Sequence, residues 1–240
     1  HPVQKITRTS HTAWTISEVA FLRGPMQDPN TTDTTLTANG RTGSGKTITA
    51  SADTFVSTDV GRLVKLHDGF AKITAFTDAR TVTATVQENA EGRSELMPSY
   101  NVSTIAFFEG DPSSTGLEHN DRITDTAGGF VNEGFKVGQK ITISGASNGG
   151  NNKSTAVLIV QVTADTMLFS PSVDLVNESA GQSVTLNGEL EADSDFSLGA
   201  FSSTTGHPAA VSFFEQRLVF ANTTSQPQTL FFSVGGSFED

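Results

Sequence analysis

Residues 206–240 read GHPAAVSFFEQRLVFANTTSQPQTLFFSVGGSFED, and this stretch decides the fold class. Apolar runs at Ala210–Phe214, Leu218–Ala221 and Thr229–Val234 are separated by polar residues and closed by two glycines. Val, Phe and Leu bounded by turn-forming residues predict β-strands, and connections this short predict antiparallel neighbours. We expect a three-stranded meander that belongs to a larger β domain, because three strands with an apolar face need further cover.

The composition of the whole chain predicts an all-β protein. Only 17% of the 240 residues are charged and 35% are hydrophobic, with 22 Gly and 8 Pro to form turns. The net charge of −11 disfavours tight binding of nucleic acid, because an acidic surface repels phosphates. The absence of cysteine rules out a disulfide framework. The longest apolar run, Ala156–Val160, is too short to span a bilayer, so we expect no membrane span.

The middle of the chain contains an internal repeat with the alternation of half-buried strands. The second copy is longer than the first mainly at Ser144–Ser154, which is the composition of a loop. Two copies are too few for a solenoid, so we expect two small β-sandwich or barrel modules in series. The residues predicted to occupy equivalent buried positions are Ile48 with Ile123, Phe55 with Phe130, and Leu63 with Ile141.

We predict a discontinuous β-sheet host domain that carries these two modules. The host segments also fit the start of a propeller-like platform. The chain lacks an initiator methionine and its last sheet is incomplete, so we expect an internal fragment with a truncated host domain. The predicted parts are residues 1–35 (host), 36–100 (first module), 101–192 (second module) and 193–240 (return to the host).

The segments around the modules are predicted from local pattern. Ala13–Leu22 alternates as one strand, and we expect its Trp14 to be a core or interface anchor. Gln27–Thr35 is polar and predicts a loop, and Gln87–Ser99 predicts a linker. Phe196–Phe201 is expected to open the terminal sheet.

Gly40-Arg41-Thr42-Gly43-Ser44-Gly45-Lys46-Thr47 matches the phosphate-binding P-loop pattern. In a true P-loop, backbone N–H groups and the N-terminus of a following helix face the phosphates. Here Thr47–Ala50 continues as a β-branched strand, and the second copy of the repeat lacks the pattern. We therefore interpret Gly40, Gly45, Lys46 and Thr47 as a turn that enters a strand, and we expect no bound nucleotide or other cofactor.

No other motif predicts catalysis or metal binding. The histidines lack the i, i+4 spacing of a helical metal site, and His207, before Pro208, fits a structural role. A cluster of acidic residues could hold calcium, but its spacing matches no dedicated loop, so we expect a solvated acidic loop. We expect neither catalytic nor metal-binding residues. The histidines are His1, His11, His67, His119 and His207, and the acidic cluster is Asp111, Glu118, Asp121 and Asp125.

Several short sequence segments resemble the tail nozzle family of short-tailed bacteriophages, also called tail tubular protein B. Most of them lie in the terminal stretch, and the others lie near the N-terminus and just before that stretch. The terminal matches are Gly206-His207-Pro208, Val211, Phe213, Glu215-Gln216-Arg217-Leu218, Gln226-Pro227-Gln228-Thr229 and Gly236. The others are His1-Pro2, Trp14-Thr15-Ile16, Gly24-Pro25 and Leu198-Gly199-Ala200-Phe201.

The resemblance implies a non-enzymatic virion protein of the phage tail. Its expected assembly is a homo-oligomeric, hexameric ring that contacts a tail adaptor protein and tail fibres and through which DNA passes without specific binding. Two other functions compete with this one. A carbohydrate- or receptor-binding β module of a virion or cell-surface adhesin is the alternative, and a nucleotide-dependent enzyme rests on the P-loop pattern alone.

Overall fold

The computed structural model describes residues 1–170 and 173–238, and the chain divides into two compact units. The first unit comprises residues 1–96 and 190–240, and the second comprises residues 97–189. Helix in the described residues is limited to three short 3-10 segments, Ser57–Asp59, Gly116–His119 and Gly149–Asn151. The prediction of an all-β protein is therefore confirmed.

The strands are numbered in chain order. The first unit begins with β1 (Gln4–Arg8), β2 (Trp14–Glu18), β3 (Leu36–Ala38), β4 (Lys46–Ala50), β5 (Leu63–Leu66), β6 (Gly69–Asp78) and β7 (Thr81–Gln87). The second unit contains β8 (Ser99–Val102), β9 (Ile105–Phe108), β10 (Arg122–Asp125), β11 (Lys140–Ser144), β12 (Lys153–Val162), β13 (Thr166–Phe169) and β14 (Val184–Gly188). The chain then returns to the first unit with β15 (Phe196–Leu198), β16 (Ala210–Phe214), β17 (Arg217–Ala221) and β18 (Leu230–Phe232).

The main sheets of the two units share one topology. The strand order is β15-β5-β6-β7-β4-β3 in the first unit and β8-β14-β11-β12-β13-β10-β9 in the second, with antiparallel pairing throughout. The place of β8 is taken in the first unit by residues near Met26. The Gln27 and Asn30 N–H groups donate to the carbonyls of Leu198 and Phe196 in β15, both at 2.8 Å. The internal repeat in the sequence is therefore a repeat of one β arrangement.

Equivalent glycines and hydrogen bonds fix the register between the two copies. Gly61 and Gly138 have φ values of 92° and 90°, which favour glycine because it has no Cβ. Their N–H groups donate to Ile73 (2.8 Å) and Ile159 (2.9 Å), respectively. This register places Lys140, and not Ile141, in the position of Leu63.

The core clusters agree with that register and correct one predicted pair. Val64 lies in the first core and Ile141 in the second, whereas Leu63, although buried, is not part of the first cluster. Val64 is therefore the counterpart of Ile141. Phe55 and Phe130 are both buried and both donate their N–H to an alanine carbonyl, as the predicted equivalence requires. Burial of each such side chain contributes about 1.5–3 kcal/mol to stability.

The second unit is inserted into the first module, between β7 and β15. We predicted modules at 36–100 and 101–192, each separate from the host domain. Instead, the second compact unit begins at Met97 and ends at Glu189, and Phe196–Leu198 pairs with β5 instead of opening the terminal sheet. The first module thus takes strand β15 from the predicted return segment and backbone hydrogen bonds from residues 26–30 of the predicted N-terminal host segment.

The segment predicted as a linker, Gln87–Ser99, is fixed at its centre. The Leu96 side chain is fully buried in the first core. The Leu96 N–H donates to the Arg41 carbonyl at 3.0 Å, and Glu95 forms a β-bridge with Thr42. Gly69 has no room for a side chain, because a Cβ built on it would lie 2.3 Å from the carbonyl oxygen of Glu95.

A buried ion pair joins the returning chain to the first module. Arg62 donates to the Asp59 carboxylate at 2.9 Å and to the Gly199 carbonyl at 2.8 Å. Asp59 also accepts hydrogen bonds from the Val56 N–H (2.9 Å) and the Thr204 hydroxyl (2.7 Å). Burial lowers the pKa of Arg62, and the charge of Asp59 opposes that shift.

Candidate functional site

The P-loop-like segment forms the turn of the β3–β4 hairpin. A strand follows it, so the helix whose N-terminus would face a phosphate is replaced by β4. The Lys46 side chain packs against Gly40. A Cβ added to Gly40 would lie 3.1 Å from the Lys46 Nζ. The Thr47 N–H donates to the Asn39 side chain at 2.8 Å. The lysine and this N–H are therefore engaged within the hairpin.

We expect this segment not to bind ATP or GTP, because its lysine packs against Gly40 and no helix dipole supports it. Titration calorimetry of the wild-type chain should give no nucleotide binding in the micromolar range. Micromolar binding that is lost in Lys46→Ala would contradict this expectation.

The four acidic residues considered for calcium are used in different ways. Asp121 and Asp125 are buried, which corrects the predicted solvated loop, whereas Asp111 and Glu118 are exposed. Asp121 accepts hydrogen bonds from the Gly110 N–H at 2.8 Å and the Val173 N–H at 3.1 Å. In the part of the chain that the structure describes, no three His, Asp or Glu side chains are close enough to hold a metal ion.

Asp125 is a hydrogen-bonding centre of the second unit. It accepts from the Tyr100 hydroxyl, the Ala127 N–H and the Gly129 N–H, each at 2.9 Å, and from the Thr104 hydroxyl. Burial alone would raise the pKa of Asp125, but these hydrogen bonds lower it below its usual value. Burial, aided by the hydrogen bond to Asp125, raises the pKa of Tyr100 to about 12.

Tyr100 is the only tyrosine in the chain, so its ionisation can be followed without labelling. The folded-state pKa of Tyr100 lies above the unfolded value of 10.0. The contribution of Tyr100 to folding stability is therefore complete below pH 10 and is lost as the pH rises through about 12. A tyrosinate absorbance titration should give a midpoint near 12 in the native chain and near 10 in urea.

The variant Asp125→Asn removes the charge that favours the neutral phenol and should lower the native midpoint. Asp111→Asn is the matched control, because the Asp111 carboxylate accepts its hydrogen bonds from Ser113 and Ser114. A native midpoint at pH 10 in the wild type would contradict the burial of Tyr100.

Within the described residues, the histidines form no cluster with one another or with acidic side chains that could hold a metal ion. His67 contacts Asp193 at 3.0 Å between Nδ1 and Oδ2, and His11 lies 2.8 Å from the Arg8 guanidinium. His207 lines a cleft of about 380 Å³ together with Glu18 and Lys72. Burial lowers the pKa of His207 below its usual value. The three rings serve separate local contacts.

The most unusual surface of the first unit is the β1–β2 hairpin. Register pairs Ile6 with Ile16 and Arg8 with Trp14 on one face, while Lys5 and Ser17 lie on the other. Ile6, Trp14 and Ile16 are 65%, 61% and 69% exposed. The predicted strand Ala13–Leu22 thus stops at Glu18, and Trp14 is not a core residue. We call Ile6, Trp14 and Ile16 the hairpin face.

The terminal meander is the second exposed apolar element. Its predicted antiparallel pairing is confirmed for β16-β17-β18. Its inner face is anchored at Phe220, which is buried, and Phe201 makes edge-to-face contacts with the rings of Phe21, Phe220 and Phe231 at 5.1–5.6 Å. On the same face, Val211 and Phe213 in β16 remain exposed.

The opposite side of the meander is uncovered. Phe214, Leu230 and Phe232 are 59%, 58% and 50% exposed, and Val219 lies between them at half burial. We call these four residues the outer face of the meander. Soluble proteins rarely leave contiguous apolar area of this kind exposed unless another molecule covers it.

Neither the outer face nor Ile6 is predicted from the sequence to be functional. Phe214 and Phe232 read as ordinary core residues of strands, because alternation shows which residues share a face but not whether that face is covered. The signal available in the sequence was Ile6, a single apolar residue between the polar residues Lys5 and Thr7. Its pairing with Ile16 is visible only in the structure.

Two further results bear on classification. Within residues 1–170 and 173–238, no helix combines the length and the apolar character needed to cross a membrane. No protein-family model matches the chain, and no curated protein is significantly similar to it.

Proposed function

We propose that this chain is a non-enzymatic structural subunit of a bacteriophage tail, part of the nozzle ring through which DNA leaves the virion. One observation carries the proposal. Two of the segments that resemble the nozzle family carry exposed apolar side chains: Trp14 and Ile16 in the hairpin, and Val211 and Phe213 in β16. Exposed apolar area supports assembly with other protein subunits.

The charge of the chain suits a conduit. At −11 the chain leaves DNA phosphates without compensating cations, so DNA gains little free energy by binding along it. A ring of such subunits would let DNA pass without specific contacts. By resemblance, the ring is hexameric, sits on a tail adaptor protein and lies near the tail fibres, and its location is the virion tail.

Negative-stain electron microscopy tests the proposal. The intact protein should form closed rings with a central channel, alone or with its adaptor protein. The variant Ile16→Lys places a charge on the hairpin face and should reduce ring formation, whereas Thr15→Lys, on the polar face of the same strand, should not. Particles that remain monomeric with the adaptor present would contradict the proposal.

A carbohydrate- or receptor-binding function is the second candidate, and Trp14 is the observation that favours it. Its indole is 61% exposed, and the Arg8 guanidinium lies 5.7 Å from the ring centroid. Exposed aromatic rings can pack against the apolar faces of ligands. Glycan-array binding that disappears in Trp14→Ala, by a protein that forms no rings, would replace the nozzle proposal with this one.

A further inference from the structure

Asparagine is followed directly by glycine at Asn39, Asn148 and Asn187. Such a pair can lose ammonia spontaneously, because glycine has no Cβ to hinder attack by its backbone nitrogen on the asparagine side chain. The reaction needs a glycine nitrogen that is accessible and that is not already held in a hydrogen bond. The structure places the three pairs in different surroundings, so their reactivity should differ.

The pair at Asn187 is held in the sheet of the second unit. Asn187 lies in β14, between β8 and β11. Its side-chain Oδ1 accepts a hydrogen bond from the Ser99 hydroxyl at 2.7 Å, and the Gly188 N–H donates to the Pro98 carbonyl at 2.8 Å. The Gly188 nitrogen is therefore already engaged, and we expect this pair to react slowly.

The pair at Asn39 is fixed by the β3–β4 hairpin. The Asn39 N–H donates to the Thr47 carbonyl at 3.0 Å, and the Asn39 side chain accepts from the Thr47 N–H at 2.8 Å. The Lys46 side chain packs against Gly40 and covers it. We expect this pair also to react slowly.

The pair at Asn148 lies in the loop that lengthens the second copy of the repeat, where Asn148 precedes the 3-10 segment Gly149–Asn151. Asn148 and Gly149 are both exposed, and a Cβ built on Gly149 would meet no atom within 4 Å. Among the hydrogen bonds between described residues, none involves the Gly149 N–H. The Gly149 nitrogen is therefore accessible and free to act as the nucleophile.

A neighbouring N–H group also activates the Asn148 side chain. The Gly150 N–H donates to Oδ1 of Asn148 at 3.0 Å. Negative charge develops on this oxygen when the Gly149 nitrogen attacks Cγ, so the hydrogen bond stabilises the transition state in the manner of an oxyanion hole. Consecutive residues of one turn thus supply both the nucleophile and the stabilising donor.

We propose that Asn148 is a site of spontaneous deamidation. The Gly149 nitrogen loses its proton and bonds to Cγ of Asn148, the Cγ–Nδ2 bond breaks, and the side-chain nitrogen takes up a proton and leaves as ammonia. Water then opens the cyclic succinimide and leaves aspartate or isoaspartate at position 148. Either product adds a negative charge to the loop.

The new charge would lie on a residue whose own N–H binds Glu178. The Glu178 carboxylate holds the loop by accepting hydrogen bonds from the N–H groups of Ser147 (2.8 Å) and Asn148 (3.0 Å) and from the Asn151 side chain (2.8 Å). Burial alone would raise the pKa of Glu178, but these hydrogen bonds lower it below its usual value. Because like charges repel, a second carboxylate at position 148 should loosen the loop.

Peptide mapping by mass spectrometry, over a time course in the folded 240-residue chain, tests the site. Asn148 should deamidate at least about tenfold faster than Asn39 or Asn187, and the three rates should converge in urea. Gly149→Ala is the matched variant, because its Cβ has room in the fold but hinders the attack, and it should slow the reaction at least about tenfold. Equal rates at the three pairs in the folded chain, or an unchanged rate in Gly149→Ala, would overturn the proposal.

Hydrogen exchange tests the effect on the loop. The deamidated form, separated by ion exchange, should exchange the N–H groups of residues 147 and 148 at least about tenfold faster than the fresh chain. The N–H groups of β14 serve as the internal control and should exchange equally in both forms. Equal exchange at residues 147 and 148 would show that Glu178 still holds the loop, and it would overturn the inferred loosening.

Discussion

Replacing Phe130 by alanine is expected to lower the unfolding free energy of the second unit by about 3–5 kcal/mol. The ring is completely buried and meets the Tyr100 ring edge to face at 6.3 Å. Truncation would remove its contacts with the core and leave a cavity. Urea unfolding followed by circular dichroism measures the loss, and hydrogen exchange of residues 97–189 assigns it to the second unit.

Two controls sharpen this prediction. Val131→Ala changes the exposed neighbour and should alter stability by less than about 0.5 kcal/mol. Phe55→Ala removes the equivalent ring and should destabilise the first unit by a similar amount. A loss below about 1 kcal/mol for Phe130→Ala would mean that the ring is not buried as described.

The second large effect is expected at the buried ion pair of the first unit. Asp59→Leu should lower the unfolding free energy by about 3–5 kcal/mol, because it leaves the Arg62 guanidinium buried without its counter-ion. The double variant Asp59→Leu/Arg62→Met should recover much of that loss, because it removes both charges together. The same urea titrations measure both variants.

An exposed pair provides the comparison. Arg80 and Asp53 lie 2.6 Å apart between Nε and Oδ1, but both side chains are largely in solvent. Asp53→Ala should therefore cost less than about 1 kcal/mol. If Asp59→Leu were as mild as Asp53→Ala, the network that joins residues 59–62 to the returning chain would not hold the first unit together.

The sequence predicted the parts of the fold that local pattern determines. The meander follows from Val, Phe and Leu runs between turn residues, and the repeat follows from pairs such as Phe55 with Phe130. The register of Leu63 was one residue off, because Leu63, Val64 and Leu66 form a run that alternation cannot place. The matched hydrogen bonds of Gly61 and Gly138 resolve it.

Long-range pairing accounts for most of what local pattern missed. Phe196-Ser197-Leu198 has the same strand pattern whether it pairs with β5 or opens the terminal sheet, and β5 lies well over a hundred residues earlier. Asp125 has the sequence context of a solvated acid, but Tyr100 from β8 and Thr104 from the β8–β9 turn bond with its carboxylate and help to bury it. For the candidate site, the sequence indicated Trp14 as an anchor, but only the structure shows that Trp14 is uncovered.

The mass of the intact protein bound to its adaptor tests the nozzle proposal most directly. Native mass spectrometry, or sedimentation equilibrium at several concentrations, should give a hexameric assembly, and Ile16→Lys should shift it towards monomers while Thr15→Lys leaves it intact. A monomer at every concentration, with the adaptor present and both variants indistinguishable from the wild type, would contradict the proposal that this chain builds a tail nozzle.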